Sequence, residues 1–184
     1  MEIGIINMCD FLSSEKCGEI IQAIQNVLPI FCKDWNIPDC KLVFSNTPQI
    51  KLVISKYSTN RRSNTTGVTA FHTIEKSIPI ARVIIDNKIA LSNISRMISH
   101  EIFEILINPM QNRYSNKYEV EVCDPVMCNS FLENGISISD WVLPAWFDTK
   151  NKEGPYNHLK TITSPFTILP GGYLNKEKSL YIGT

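Results

Sequence analysis

The sequence predicts an α+β fold, and three patterns along its 184 residues support this prediction. Apolar residues recur at helical spacing over residues 13–35 and again over 92–107. Short runs rich in β-branched residues, bounded by turn-forming residues, precede and follow the second window. The length suits one domain spanning 1–184. We therefore expect a small mixed sheet packed on an N-terminal helix and a second, buried helix, with a loop-rich C-terminal part.

The first half of the chain predicts a strand, a helix and then further strands. Residues 1–6 form the first predicted strand. Ser13 or Ser14 can cap a helix that runs to Trp35, although Pro29 predicts a kink or an end near Leu28. The polar stretch 58–67 predicts an exposed loop. Strands are expected at 41–45, 49–55, 67–71 and 80–85.

The second half begins with the buried helix, predicted over 92–107 and ending at Asn108-Pro109. A strand is expected at 118–122 and another at 136–143, the latter after a hairpin-like turn at Asn134-Gly135. From Asp148 onward, proline and glycine predict mostly loops.

Composition argues against several functional classes. Eighteen basic residues balance eighteen acidic ones, so no net charge favours nucleic acid or an anionic membrane. No apolar run approaches the roughly 20 residues that span a bilayer, and residues 1–6 do not resemble a signal peptide. The six cysteines lack C-x-x-C spacing, which favours free thiols in a reducing compartment. A cytoplasmic location is the corresponding expectation.

The second helix carries the residues with the clearest chemistry. His100 and Glu104 are four residues apart and share one helix face, and Glu101 lies beside them. Apolar residues occupy much of the remaining circumference, so we expect the helix to be buried and its polar groups to need a partner such as a cation. The alternative is a helix at the surface, with solvated glutamates and a packed histidine.

An imidazole and a carboxylate at this spacing can bind one Zn²⁺ ion, and Glu101 can act as general base on a zinc-activated water. The usual helical zinc motif is H-E-x-x-H, and here Glu104 replaces the second histidine. A carboxylate is a competent zinc ligand, but its negative charge makes the metal less electrophilic. Metal binding is therefore better supported than catalysis.

A further ligand is expected from residues 118–125, where Glu121 and Asp124 lie 17 and 20 residues after Glu104. Strand alternation would place Glu119, Glu121 and Cys123 on one side, with Asp124 at the start of a proline turn. Either Glu121 or Asp124 could bind the metal while the other orients His100. A solvated acidic strand edge is the alternative.

Two more residues are candidate catalytic groups. His72 lies at the end of a predicted strand, where its side chain can reach a cleft. Tyr173 follows Pro170-Gly171-Gly172 and could donate its phenol to a developing oxyanion. In both cases a packed or surface side chain is the ordinary alternative.

Several of these segments occur together in a family of uncharacterised bacterial and phage proteins, which the sequence resembles from about residue 70 to 175. The family has a Ser-His-Glu-x-x-Glu helix, a downstream Glu-x-x-Asp-Pro segment and a late Pro-Gly-Gly-Tyr. This chain departs from it at Phe71, where Tyr is usual, and at Asn108, where Asp is usual. The matching segments, in chain order, are Phe71-His72, 79–83, 99–106 with Asn108-Pro109, 121–125, 138–147 and 170–173.

The resemblance implies a zincin-like fold and a metal-dependent hydrolase. Combined with the residue chemistry, it favours a zinc peptidase that acts on a peptide or protein, in the host cytoplasm or virion if the chain is phage-encoded. The alternative is a non-catalytic, zincin-like binding or virion-associated module that keeps a structural metal. A fold without any metal is a third possibility.

Overall fold

Five strands form a mixed sheet in the computed structural model, which describes residues 1–56, 69–176 and 179–182. Their spatial order is β2-β1-β3-β5-β4, with the first four parallel and β4 antiparallel to β5 at one edge. The predicted loop at 58–67, and the first two residues of the strand predicted at 67–71, lie outside the described residues. The strands are β1 (Glu2–Met8), β2 (Lys41–Val43), β3 (Ile50–Lys56), β4 (Thr69–Glu75) and β5 (Ile78–Ile85).

One face of this sheet forms the core. Side chains alternate along a strand, so every second residue of the central strands points to the same face. On that face the side chains are aliphatic and buried, as Ile3, Leu52 and Val83 illustrate. They pack with helices α1 (Ser14–Trp35) and α2 (Leu91–Ile107), which confirms the predicted α+β class.

Helix α1 is capped at its start by Ser13, whose hydroxyl accepts a hydrogen bond from the Lys16 amide. The helix does not end near Leu28, where the sequence predicted a kink or an end, but continues through Pro29 to Trp35. Phe31 and Trp35 lie beyond the proline and are buried. Their burial offsets the roughly 3 kcal/mol that an internal proline costs a helix.

Helix α2 is held in the core by stacking and by buried hydrogen bonds. Phe103 stacks on Phe31 with ring centroids 4.5 Å apart and meets the edge of Trp141 at 5.0 Å. The Ser99 hydroxyl accepts a hydrogen bond of 2.8 Å from the Ser139 amide. Ser99 and Phe103 lie one turn apart on the same face, so these contacts anchor that face of the helix and give its polar residues defined positions.

The remaining elements follow α2. The hairpin turn is confirmed, since Asn134 and Gly135 both have positive φ, as a two-residue turn between β8 and β9 requires. Three strand predictions differ from the structure by at least three residues at one end: those at 118–122 and 136–143 end early, at Glu119 and Ser139, while the one at 67–71 extends to Glu75. Smaller differences occur at 41–45, which ends at Val43, and at 80–85, which begins at Ile78. The described strands are β6 (Tyr114–Ser115), β7 (Tyr118–Glu119), β8 (Ser130–Glu133), β9 (Ile136–Ser139), β10 (Tyr173–Lys176) and β11 (Ser179–Ile182).

The C-terminal part is loop-rich as far as residue 172, but it then contributes strands that the sequence did not predict. β10 pairs with β11 and, at Lys176, with Tyr118 of β7. Among the described residues, neither helix combines the length and the apolar character needed to cross a bilayer.

Candidate metal centre

Helix α2 buries the three polar residues that the sequence singled out. His100, Glu101 and Glu104 are 2%, 2% and 4% exposed, so the alternative of solvated glutamates is wrong. The His100 Nε2 atom lies 3.1 Å from Glu104 Oε2, as expected for residues on one face separated by one turn. The other Glu104 oxygen accepts a hydrogen bond of 3.1 Å from the Cys123 amide, which ties the helix to the segment after β7.

That segment brings Asp124 to the same histidine nitrogen. Asp124 begins a 3₁₀ turn, Asp124–Val126, with Pro125 in its first turn. Its Oδ1 atom lies 3.3 Å from His100 Nε2. Two ligands of a tetrahedral zinc ion, each bonded at about 2.0–2.1 Å, lie about 3.3–3.4 Å apart. The separations of Glu104 and Asp124 from His100 Nε2 therefore both match the spacing of ligands around one ion.

Glu121 lies in a different part of the site, beside His72. Its Oε1 atom is 3.7 Å from His72 Nε2 and accepts a hydrogen bond of 3.4 Å from the Asn108 amide group. The predicted strand alternation through Glu121 does not hold, because its backbone N–H bonds to the Glu119 carbonyl and the strand has already ended. Of the two candidates for the further ligand, Asp124 is the one beside His100.

His72 faces the site from the edge strand β4. Its Nδ1 atom is 3.8 Å from Glu101 Oε2, and its side chain is buried. Its backbone carbonyl accepts a hydrogen bond of 2.8 Å from the Gln111 side chain, which fixes this part of the strand. The structure thus brings together His72 and Glu101, which the sequence proposed as separate catalytic groups.

Tyr173 reaches the site because two glycines precede it. Gly171 has a φ of +81°, a conformation that favours glycine. A Cβ on Gly172 would lie only 2.3 Å from the Pro125 carbonyl oxygen, so only glycine allows this close approach. The approach places the Tyr173 hydroxyl beside Asp124, close enough for each side chain to shift the pKa of the other.

A cavity of about 120 Å³ connects these side chains. Besides the predicted residues, Gln111, Glu119 and Asn175 line it, and no lysine or arginine is among its described lining residues. Cys123 is a further residue that could reach an ion, since its sulfur and ligand atoms of His100 and Glu104 lie within 4.8 Å of one another. The positions of Gln111 and Asn175 at the cavity depend on contacts between distant segments, which no local sequence pattern indicates, whereas Cys123 lies in the segment that the sequence had proposed for a further ligand.

The carboxylates strongly influence one another. Burial, followed by the charges of Glu104 and Asp124, raises the pKa of Glu121 to about 11. Burial and the Glu104 charge raise the pKa of Asp124 to about 7, although His100 opposes this. Burial also raises the pKa of Glu101. Burial alone would raise the pKa of Glu104 and lower that of His100. Their mutual attraction outweighs burial, so the pKa of Glu104 is lowered and the pKa of His100 is raised.

Five buried side-chain atoms at this site have no hydrogen-bond partner among the described residues. Such atoms are unusual in folded proteins, because an unpaired buried polar group costs about 1–3 kcal/mol. Nitrogen and carboxylate oxygen atoms that point at one another are the donors that bind a divalent transition metal. The residues present therefore fit a metal ion. The five atoms are His72 Nε2, His100 Nδ1, Glu101 Oε2, Glu121 Oε2 and Asp124 Oδ1.

Comparison of the chain with protein-family models, curated proteins and solved structures finds no match. The assignment of function therefore rests on the chemistry and geometry of the site.

Proposed function

We propose that this chain is a zincin-like, metal-dependent hydrolase that acts on peptides with Zn²⁺ held by His100, Glu104 and Asp124. The observation that carries this proposal is the convergence on His100 Nε2 of two carboxylate oxygens, at 3.1 and 3.3 Å. Three protein ligands leave a fourth position open, as in catalytic zinc sites. When bound, the ion would supply Lewis acidity and lower the pKa of a water toward neutrality.

Glu101 is the proposed general base. It follows the ligand His100 directly, and its Oε2 atom is buried without a hydrogen-bond partner among the described residues. Burial raises its pKa, and a carboxylate with a raised pKa is a better proton acceptor near neutral pH. His72 lies 3.8 Å from this oxygen and would hold the carboxylate in place. Tyr173 would donate its hydroxyl to a polarised substrate oxygen, an arrangement that its position beside Asp124 supports.

A peptide is the proposed substrate because strand β4 borders the cavity. Among the described strands β4 pairs only with β5, so it is an edge strand to which an extended peptide can add. Ala70 and Phe71 of β4 line the cavity, and Phe71 is 41% exposed. The zincin-like proposal is supported by this antiparallel edge strand beside the helix that carries His100. The proposed location is the cytoplasm, or host cytoplasm or virion for a phage-encoded chain, where free cysteines such as Cys128 persist.

A second candidate is a non-catalytic module that keeps the metal for stability. Glu104 favours it, since a second carboxylate ligand reduces the electrophilicity of the ion. The small cavity, about 120 Å³, also favours it.

Replacing Glu101 with Gln separates the two functions. Hydrolysis of a peptide panel should fall by at least about 100-fold, the range typical of a general base, while the zinc ion proposed at His100, Glu104 and Asp124 stays bound. Glu119→Gln is the matched control, because Glu119 lines the same cavity at a half-buried position, and it should keep most of the activity. If the zinc-loaded wild type cleaves no peptide in the panel, that result would contradict the hydrolase proposal and favour the non-catalytic module.

A further inference from the structure

We propose that the site binds a second divalent cation between His72, Glu101 and Glu121, and that Glu104 bridges it to the first. The inference rests on the proposed metal at His100, which it extends from a mononuclear to a dinuclear centre.

The distances define two groups of donors around one shared residue. Ligand atoms of His72, Glu101 and Glu104 all lie within 4.8 Å of one another, and so do those of His100, Glu104 and Cys123. Glu104 belongs to both groups. A carboxylate has two oxygens and can bridge the ions of a two-metal site, which lie about 3.5–4 Å apart.

Unpartnered atoms point into the second group independently of these distances. His72 Nε2, Glu101 Oε2 and Glu121 Oε2 are buried and have no hydrogen-bond partner among the described residues. Their side chains are all more than nine-tenths buried. An ion bound at His100, Glu104 and Asp124 would leave these three atoms unsatisfied, whereas a second ion would bind them directly.

Charge balance supports the same conclusion. Glu101, Glu104, Glu121 and Asp124 carry four negative charges when ionised, and the described lining of the cavity contains no lysine or arginine. If all four are ionised, one divalent cation leaves a net charge of −2 in a buried site, which is unfavourable, so at least one of the carboxyl groups would have to keep a proton. A second divalent cation reduces the net charge to zero. Four carboxylates and two imidazoles are also the donor set of dinuclear iron and manganese centres in four-helix bundles.

The second ion would fix the position of the Glu101 carboxylate, and Glu101 would still act as the general base. Binding through Oε2, the atom that lacks a partner, leaves the other carboxylate oxygen to accept a proton. Glu121 would then be a ligand of the second ion, which gives a function to the predicted ligand that does not lie beside His100.

Metal stoichiometry of the full chain tests this proposal without relying on activity. Metal-stripped protein is titrated with Zn²⁺ and, separately, with Mn²⁺, and bound metal is measured by elemental analysis after desalting. The wild type should bind two equivalents. His72→Ala and the conservative Glu121→Gln should each bind one, while Glu119→Gln should still bind two.

The outcomes separate this proposal from the proposed function. In one alternative outcome, the wild type binds a single equivalent of metal, which Glu121→Gln keeps and Asp124→Asn loses. That result would overturn the second site and leave the hydrolase proposal intact. No bound metal would overturn both. If His72→Ala does not fold, as judged by circular dichroism, Glu121→Gln alone decides. The Mn²⁺ form should also give the spin-coupled electron paramagnetic resonance spectrum of a bridged pair, and a spectrum of isolated ions would contradict bridging by Glu104.

Discussion

Replacing Asp124 with Asn should stabilise the metal-free protein at alkaline pH, although it removes a proposed ligand. The carboxylate is buried beside Glu104, and its pKa is raised from the ordinary 3.8 to about 7. That difference corresponds to up to about 4 kcal/mol, at about 1.4 kcal/mol for each factor of ten. Because the folded state binds the proton more tightly, stability of the metal-free wild type falls as the pH rises from about 4 to about 7.

Urea unfolding followed by tryptophan fluorescence, in EDTA at pH 8 and again near pH 4, measures this effect. At pH 8 the Asp124→Asn variant should be more stable than the wild type by up to about 4 kcal/mol. The difference should shrink to roughly half a kcal/mol near pH 4, where Asp124 is protonated in the folded state and about 40% protonated in the unfolded state. Asp39→Asn, at an exposed position, is the control and should change little at either pH.

Zinc should remove most of this difference between the two proteins. A ligand at 1,000 times its dissociation constant stabilises the folded state by about 4 kcal/mol, and the variant should lose most of this gain. A variant that is less stable than the wild type at pH 8 in EDTA would refute the reasoning, because the Asp124 charge would then be favourable in the metal-free site.

Three further predictions concern proton release and the packing that supports the site. Zinc binding at pH 6 should release more than one proton, because the pKa values of Asp124 and His100 are both raised and both groups bind zinc only without the proton; calorimetry in buffers of different ionisation enthalpy measures the total, and no release would contradict these raised pKa values. Ser99→Ala should cost about 1–3 kcal/mol by leaving a buried amide without its acceptor, whereas the exposed Ser92→Ala should cost little. Gly172→Ala should destabilise by at least about 1–3 kcal/mol, since its Cβ would lie 2.3 Å from a backbone oxygen. Gly18 lies inside α1 with open space around its Cα, so Gly18→Ala should stabilise the fold by about 0.5–1 kcal/mol. Equal effects of the two glycine substitutions would contradict the packing argument.

The residues of α2 were predictable because the pattern that defines a helix is local. Helical spacing and Pro109 gave an end at Ile107, which the structure confirms, and the apolar circumference correctly predicted its burial. The relation of His100 to Glu104 follows from the same spacing. These inferences needed no knowledge of how distant segments meet.

The choice between Glu121 and Asp124 was not predictable, because it depends on how the segment after β7 turns. Strand alternation suggested that Glu121 continues a strand, but the chain turns after Glu119 and presents Asp124 to His100 instead. The Asp124-Pro125 backbone also packs against Gly172, about fifty residues later in the sequence, and local patterns cannot predict such a contact.

The pairing of His72 with Glu101 and Glu121 was also beyond local patterns. The sequence predicted His72 as a catalytic residue at a cleft but not its partners, because its contacts require β4 to lie antiparallel at the edge of the sheet and close to α2. The strands β10 and β11 were missed for a similar reason. Their pairing forms an antiparallel sheet with β7, and its short strands carry little alternation of their own.

Anomalous diffraction from zinc-soaked crystals of the full chain, recorded at the zinc absorption edge, tests the central claim most directly. The account predicts a peak bonded at about 2.0–2.2 Å to His100 Nε2 and to carboxylate oxygens of Glu104 and Asp124. An anomalous map without a peak in this cavity, from protein whose fold matches the description above, would contradict the claim that these residues form a metal centre.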